Sequence, residues 1–440
     1  MLRRELSIMF RAQVTWLQAA LSALLVGHSF VLATDLYSAG SRSALTNRLM
    51  SREFDPLLGI VRPTLGGLYF AVSLLGAVVA VRPLAIEKER RTFHSLLLQT
   101  TSPMRVLATQ GVAGVMSLAL QAIAPIGLFG LWVVLGGHLA LGETAAALLG
   151  QALYVILVAA LAMAAAAWTN TLAQAATATI VIVAASWAID ASEGFAALAW
   201  LGRALDWSVS THLTPMERGT LSFGACLWMG VTTIGAFAIA YVGTRFDVPR
   251  RRRVAFAILI MALTAGAGLG ANRVRIVFDC TEFNRVSLPP AVSAGLREIP
   301  GAVSLEVYLD RDDARRQQLE GDVVVKLRLA RSDVEVRTPL DEQPAPAVGE
   351  RDEGYGRIIV HVGDQTRVTY STSRKEIVTL LFEATGRPVP DWSTAEYPGY
   401  PLVIDGQRRT LTLLIAYLGL PAACILAGLW STRTMRGRSP

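Results

Sequence analysis

Residues 144–168 read TAAALLGQALYVILVAALAMAAAAW, and residues 172–189 read LAQAATATIVIVAASWAI. Only Thr169, Asn170 and Thr171 separate them, and neither run contains Asp, Glu, Lys or Arg. A helix at the surface of a soluble core is apolar along one stripe, whereas one that is apolar all round is buried or faces lipid. About 20 mainly apolar residues cross a bilayer. The pair therefore predicts two membrane-spanning helices in a tight hairpin, with alanines that permit close approach.

Six further runs extend this reading: Val14–Ala33, Gly59–Val81, Val106–Leu135, Leu221–Val242, Val254–Ala271 and Leu411–Trp430. Across the 440 residues 52% are hydrophobic and 17% charged, against about 25% charged in soluble domains. The N-terminal MLRREL precedes an apolar run longer than the usual h-region of about 7–15 residues, so it predicts an uncleaved first helix. Pro125 predicts a kink in the third span. His28 falls inside the first span and predicts a structural histidine facing the bundle.

The net charge is +7, and its short basic clusters sit beside apolar runs, which argues for membrane topology rather than nucleic acid. With Arg3, Arg4 and Arg11 in the cytoplasm, so are Lys88, Arg90, Arg91 and Arg105, then Arg245 and Arg250–Arg253, then Arg433, Arg436 and Arg438. Both termini are then cytoplasmic, and residues 272–408 lie outside. Within that polar stretch, strands are predicted near 276–279, 303–308, 333–337, 355–362 and 366–369, and helices over 290–297, 314–331 and 373–385. Gly363-Asp364 marks a hairpin turn and Gly386 a helix end. The fold class expected is a mainly α-helical polytopic membrane protein of about eight transmembrane helices, with an extracytoplasmic α/β domain inserted between the last two. Semi-apolar pieces at 195–205 and 207–213 suit the outer interface.

No G-x-x-x-x-G-K-[ST], H-E-x-x-H or G-x-S-x-G motif occurs, and the five histidines and three cysteines are scattered. These absences predict no catalytic residue, no metal ligand and no cofactor held by this chain. Arg62 lies near the outer end of the second span, where it can snorkel or meet a substrate. Gln121 and Gln151 can hydrogen-bond between helices or line a path. The richest segment is Glu87-Lys88-Glu89-Arg90-Arg91-Thr92-Phe93-His94-Ser95-Leu96-Leu97-Leu98, where a span runs into charge and then an apolar face at Phe93, Leu96 and Leu97.

Residues 87–110 resemble the E-x-E-R-x-T-x-x-x-L-L signature of ABC-2-type permeases. Glu87, Glu89, Arg90, Thr92, Leu96 and Leu97 fall on the pattern, while Arg91 stands at its usual glycine. Thr101 stands where proline is common, and Thr109-Gln110 replaces Gly-Lys. The stretch LDWSVSTHLTPMERG (205–219) is similar to the outer segment of the gliding-motility and NosY-like branch. VSLPP (286–290), LREI (296–299) and residues 303–310 are similar to the extracytoplasmic domain of gliding-motility-type ABC auxiliary proteins. The resemblance implies a fusion: a six-span permease over 1–245, a basic joint and seventh span over 246–271, an auxiliary domain over 272–408, and an eighth span and tail over 409–440.

It also implies partners: an ABC ATPase in two copies carrying ATP-Mg, a second permease copy or related chain, membrane lipids and a periplasmic protein met through 272–408. The ATPase contact would involve Glu87, Glu89, Arg90, Arg91, Thr92, Phe93, Leu96 and Leu97. The expected setting is a bacterial inner membrane. The alternative is a subunit that moves nothing and relays ATP-driven motion to a periplasmic partner. A membrane-embedded enzyme is a third reading, disfavoured by spans that hold almost no carboxylates.

Overall fold

The computed structural model describes residues 2–45, 47–93, 95, 102–192, 204–274, 276–310, 313–331, 333–342, 354–390, 392 and 397–436. It divides into two compact units, residues 1–274 with 398–440, and residues 275–397.

Among the described residues the first unit holds eight helices long and apolar enough to cross a membrane. In chain order the first unit's elements are the short helix α1 (Leu2–Arg11), then α2 (Gln13–Ala44), α3 (Leu57–Glu89), α4 (Pro103–Val134), α5 (Leu141–Trp168) and α6 (Leu172–Ala191). They continue with a second short helix, α7 (Val209–Glu217), and then α8 (Phe223–Gly243) and α9 (Arg250–Asn272). The protein is a multi-pass membrane protein whose spans fall on the eight apolar runs. The hairpin between α5 and α6 is as short as the sequence predicts, and Thr171 caps α6 by accepting from the Gln174 N–H.

Three spans depart from a regular α-helix. A π turn, Leu57–Val61, begins α3, a second, Val72–Gly76, interrupts it, and a third, Ile415–Gly419, interrupts the last span. A 3-10 turn, Leu120–Ala122, interrupts α4. Pro125 lies just after it, and with no N–H it cannot donate back to the preceding turn. A π turn is often found where a helix serves a function.

The second unit is built on alternation. Its elements are α10 (Pro290–Arg297), β1 (Val303–Val307), the helical stretch α11 (314–330), β2 (Glu335–Arg337), β3 (Ile358–Val362), β4 (Gln365–Thr369) and α12 (Arg374–Ala384). The sheet order is β2-β1-β3-β4, with β1 and β2 parallel and the other pairs antiparallel. Leu305 sits opposite both Val336 and Val360. Val303, Leu305, Val307, Ile358, Val360 and Val362 are buried, while the residues between them are partly exposed. Leu296, Val323, Leu327, Ile377 and Leu381 cover that face. Gly363 and Gly386 take positive φ, 56° and 68°, at the turn and helix end expected of them.

The last span, α13 (Gly406–Thr432), lies along α2. Contact is close because Gly27 faces the chain at Ala416, and Gly428 faces Trp16. His28 does not face the bundle interior. It is exposed and its Nδ1 lies 2.7 Å from the Tyr417 hydroxyl, so it serves the α2–α13 seam. The seventh span packs elsewhere, on α8, where Gly235 faces Thr264.

The sequence reading runs the polar domain to residue 408, but the second unit ends at Tyr397. Residues 398–405 are extended and take hydrogen bonds from α2 and from the residues that follow it, Ser51 and Phe54. The Leu402 N–H donates to Ser41 Oγ (3.0 Å) and the Ile404 N–H to Ser38 Oγ (2.9 Å). Tyr37 donates to the Tyr400 carbonyl (2.8 Å). Those serines and Tyr37 explain why α2 continues past Ala33 through polar residues. The helix α1 is a second element the run lengths do not announce; it buries Glu5 and Met9, four apart on one face.

A Cβ on Gly27 would lie 2.7 Å from the Ala416 carbonyl oxygen, whereas at Gly230 it would meet nothing within 4 Å. Gly27→Ala is expected to destabilise the detergent-purified protein by about 1–3 kcal/mol. Gly230→Ala is expected to leave its melting temperature unchanged or raise it slightly. Equal melting curves for the two variants would show that α13 does not seat on α2 as described.

Candidate functional site

A row of polar side chains inside the bundle lines up along one seam, between α3 and α5. Arg62, Tyr69 and Ser73 are seven and four residues apart on α3, and so share a face at helical spacing. Gln151 and Tyr154 meet them from α5. Each polar group must be satisfied within the protein, because the hydrocarbon layer offers no water.

At one end Arg62 Nε lies 3.5 Å from Glu217 Oε2, and Gln151 Nε2 donates to Glu217 Oε1 at 3.2 Å. Glu217 is the last residue of α7, and α7 turns away through Gly219 at φ 81°. The helix can lie against α5 because Gly150 leaves room for Leu213 and Met216. Burial pushes the Glu217 carboxyl above its ordinary range, while Arg62 and Gln151 pull it back. Arg218 beside it is lowered by burial and then by Arg62. A cavity of about 450 Å³ opens here, lined by Leu58, Arg62, Pro63, Tyr69, Thr214 and Glu217 among others. The buried Gln151 Oε1 has no hydrogen-bond partner among the described residues.

In the middle, Ser73 Oγ and Tyr154 OH are 2.5 Å apart. The Tyr69 and Tyr154 rings lie 4.6 Å apart, and Trp187 of α6 donates to Tyr69 OH at 3.0 Å. Ser73 belongs to the second π turn of α3.

At the far end Lys88 closes the seam. Its ammonium donates to the carbonyls of Ala166 (2.8 Å), Ala167 (2.8 Å) and Thr169 (2.5 Å). Those carbonyls at the C-terminus of α5 have no helical partner, and the helix dipole there favours a cation. Beyond Lys88 the chain turns sharply. Arg91 has φ 59°, a left-handed conformation that suits glycine. Thr92 donates to the Glu87 carbonyl (3.2 Å) and to its carboxylate. Phe93 is buried, edge-on to Phe246 at 6.3 Å between ring centroids. Glu89, Arg90, Arg91 and Thr92 are exposed. Arg4 and Glu5 of α1 line a cavity of about 150 Å³ with Glu87 and Arg90. Burial raises the Glu5 carboxyl, and Glu87 raises it further.

The structure thus brings Arg62 and Gln151 together through Glu217, a residue the sequence reading passes over. Nothing in Met216-Glu217-Arg218 marks it, since its partners come from two distant spans. Gln121 lies elsewhere: it accepts from Ser22 of α2 at 3.1 Å and pins α4 to the first span. Glu87, Arg90, Arg91, Thr92 and Phe93 form a sharp bend, with Phe93 inward and charge outward. Leu96 and Leu97 lie outside the described residues, as do Trp200 and most of the 195–205 piece.

Two outcomes follow. Lys88→Met strands three carbonyls at the end of α5 and is expected to destabilise the protein by at least about 1–3 kcal/mol in a denaturation assay. Glu217 binds its proton more tightly folded than unfolded, where its ordinary value is 4.5. Its stabilising share is complete below 4.5 and is lost as pH rises through the raised value. Glu217→Gln is therefore expected to flatten the fall in stability above pH 4.5, seen in melting temperatures of the two proteins across that range. Parallel pH profiles would contradict the burial of a charged group at this position.

Comparison of the chain with family models, with curated proteins and with solved structures returned no match.

Proposed function

We propose that the chain is the membrane subunit of an ABC-type transport complex, powered by an ATPase on a separate polypeptide that bears on the bend at residues 87–93. The carrying observation is that one continuous helix, α3, bears the exposed charged bend at one end and the Arg62–Glu217 clamp at the other. Force applied beside Lys88 acts on a helix that carries one π turn, Val72–Gly76, on the way to Arg62, and reaches the polar cavity without crossing a loop. The likeness of residues 87–97 to the ABC-2 permease signature supports the same reading. So does the cavity of about 450 Å³ beside the Arg62–Glu217 clamp, room inside the bundle that a closed bundle lacks.

On this reading the arginine clusters put both termini and the bend on the cytoplasmic side of a bacterial inner membrane, and residues 275–397 outside it. A second permease copy or related chain completes the path, and ATP-Mg binds the partner ATPase. The mechanical alternative, a subunit that relays motion to a periplasmic protein, draws support from α13. That helix is tied to α2 along its length, and Ser431 donates to the carbonyl of Phe10 in α1, the helix whose Arg4 and Glu5 share a cavity with Glu87 and Arg90, at 2.9 Å.

The deciding experiment is purification of the tagged chain from its native membrane in mild detergent, with ATPase activity assayed on the eluate. A soluble ATPase is expected to co-elute and to be lost in the Glu87→Ala, Glu89→Ala, Arg90→Ala variant, whose melting temperature is unchanged. A chain that elutes with no ATPase would overturn the proposal.

A further inference from the structure

Between α4, α5 and α8 lies a groove of about 700 Å³ whose lining is almost wholly apolar. Its floor is Ala159, Ala160 and Met163 of α5, all buried within the protein. Its walls include Val112 and Met116 of α4 and Ile234 of α8, all exposed. Alanines on the floor leave unfilled the space that larger side chains would take. Within a membrane such a space does not hold water, because apolar walls offer a water no partners.

One end of the groove is different. Tyr241 lines it there and accepts from Arg245 Nη1 at 3.2 Å. Arg245 is in turn neutralised by Asp247, with bonds of 2.7 and 2.5 Å. Arg253 donates to the Gly243 carbonyl at 3.1 Å, just past Tyr241, and so brings the start of α9 to the same end. Arg250, Arg251 and Arg252 are exposed there and make no ion pair among the described residues. Arg105, next to the groove residue Met104, is exposed at the start of α4. The only described carboxylate in this stretch, Asp247, is already spent on Arg245.

We propose that this groove is a binding site for an anionic phospholipid, with one acyl chain over Ala159 and Ala160 and the phosphate among Arg105, Arg250, Arg251 and Arg252. The apolar trough and the uncompensated positive charge at its end match the two halves of such a molecule. A second copy of this chain is the competing occupant. In a shared membrane it would bring its own arginine cluster to the same depth, like charge against like, whereas an anionic headgroup supplies the missing charge. The site adjoins the bend through Phe246, which packs on Phe93 and lies 5.4 Å under Arg253. It does not depend on the transport reading, since binding is measured on this chain alone.

The test is native mass spectrometry of the purified full chain in neutral detergent, titrated with phosphatidylglycerol or with phosphatidylcholine, alongside its oligomeric state by light scattering. Phosphatidylglycerol is expected to bind roughly tenfold or more tightly than phosphatidylcholine. Replacing Arg250, Arg251 and Arg252 together by Gln is expected to remove that preference. Ala160→Phe fills the floor, and Ala108→Phe, on the exposed wall, narrows the groove without touching the packed core. Both are expected to lower phosphatidylglycerol binding by a similar factor, Ala108→Phe at an unchanged melting temperature. Equal binding of the two lipids would overturn the proposal, as would phosphatidylglycerol binding that survives Ala108→Phe. Loss of a dimer in these variants with lipid binding intact would assign the groove to a second copy instead.

Discussion

The contact on which the bundle most depends is the Lys88 ammonium seated on the last carbonyls of α5. A helix that ends inside an apolar bundle leaves its final carbonyls unpaired, and each costs free energy unless a donor reaches it. Lys88 meets three at once and places its charge at the negative end of the helix dipole. In doing so it ties α3 to α5 and fixes where α3 stops, and so where the chain bends at Arg91.

The same requirement organises the rest of the seam. Ser73 and Tyr154 pair in the middle, Tyr69 takes the Trp187 N–H, and Arg62 and the Gln151 Nε2 both reach the Glu217 carboxylate at the far end. Polar pairs of this sort are modest in energy but specific in geometry, since only one register of α3 against α5 matches all three levels. The π turn Val72–Gly76 falls between Tyr69 and Lys88 and shifts the register of α3 between the middle and the Lys88 end of the seam. Small residues do the corresponding work elsewhere: Gly27 under Ala416, Gly150 under Met216 and Gly235 under Thr264 allow close backbone approach. Where alanines line an outer face instead, as on α5 at Ala159 and Ala160, they leave the groove between α4 and α8.

The spans and the sheet were legible from pattern alone. A run of about 20 apolar residues without charge has only a helix open to it in lipid. Alternation in VSLEV has only a one-sided strand open to it, and IIVHV buries every second residue in the same way. The bend at residues 87–93 was legible as a charged break after a span, and the glycine-like φ of Arg91 sits where the resembled pattern has glycine. Glu217 was not legible, because a lone glutamate in a polar segment looks like any solvated residue until two other helices close over it. The role of Lys88 was equally hidden: the sequence shows a cation in a basic cluster, and only packing reveals that it points inward.

What the sequence determined by itself is therefore the number and order of the spans and of the main strands, because these follow from local periodicity and from the cost of exposing backbone to lipid. Only the tertiary structure decided which helices meet. It seated α13 on α2 and α9 on α8, turned residues 398–405 onto Ser38 and Ser41, and paired Arg62 with Glu217. Those choices rest on matching glycine notches and single hydrogen-bond partners across large separations in the chain, and no local pattern records which notch will meet which partner.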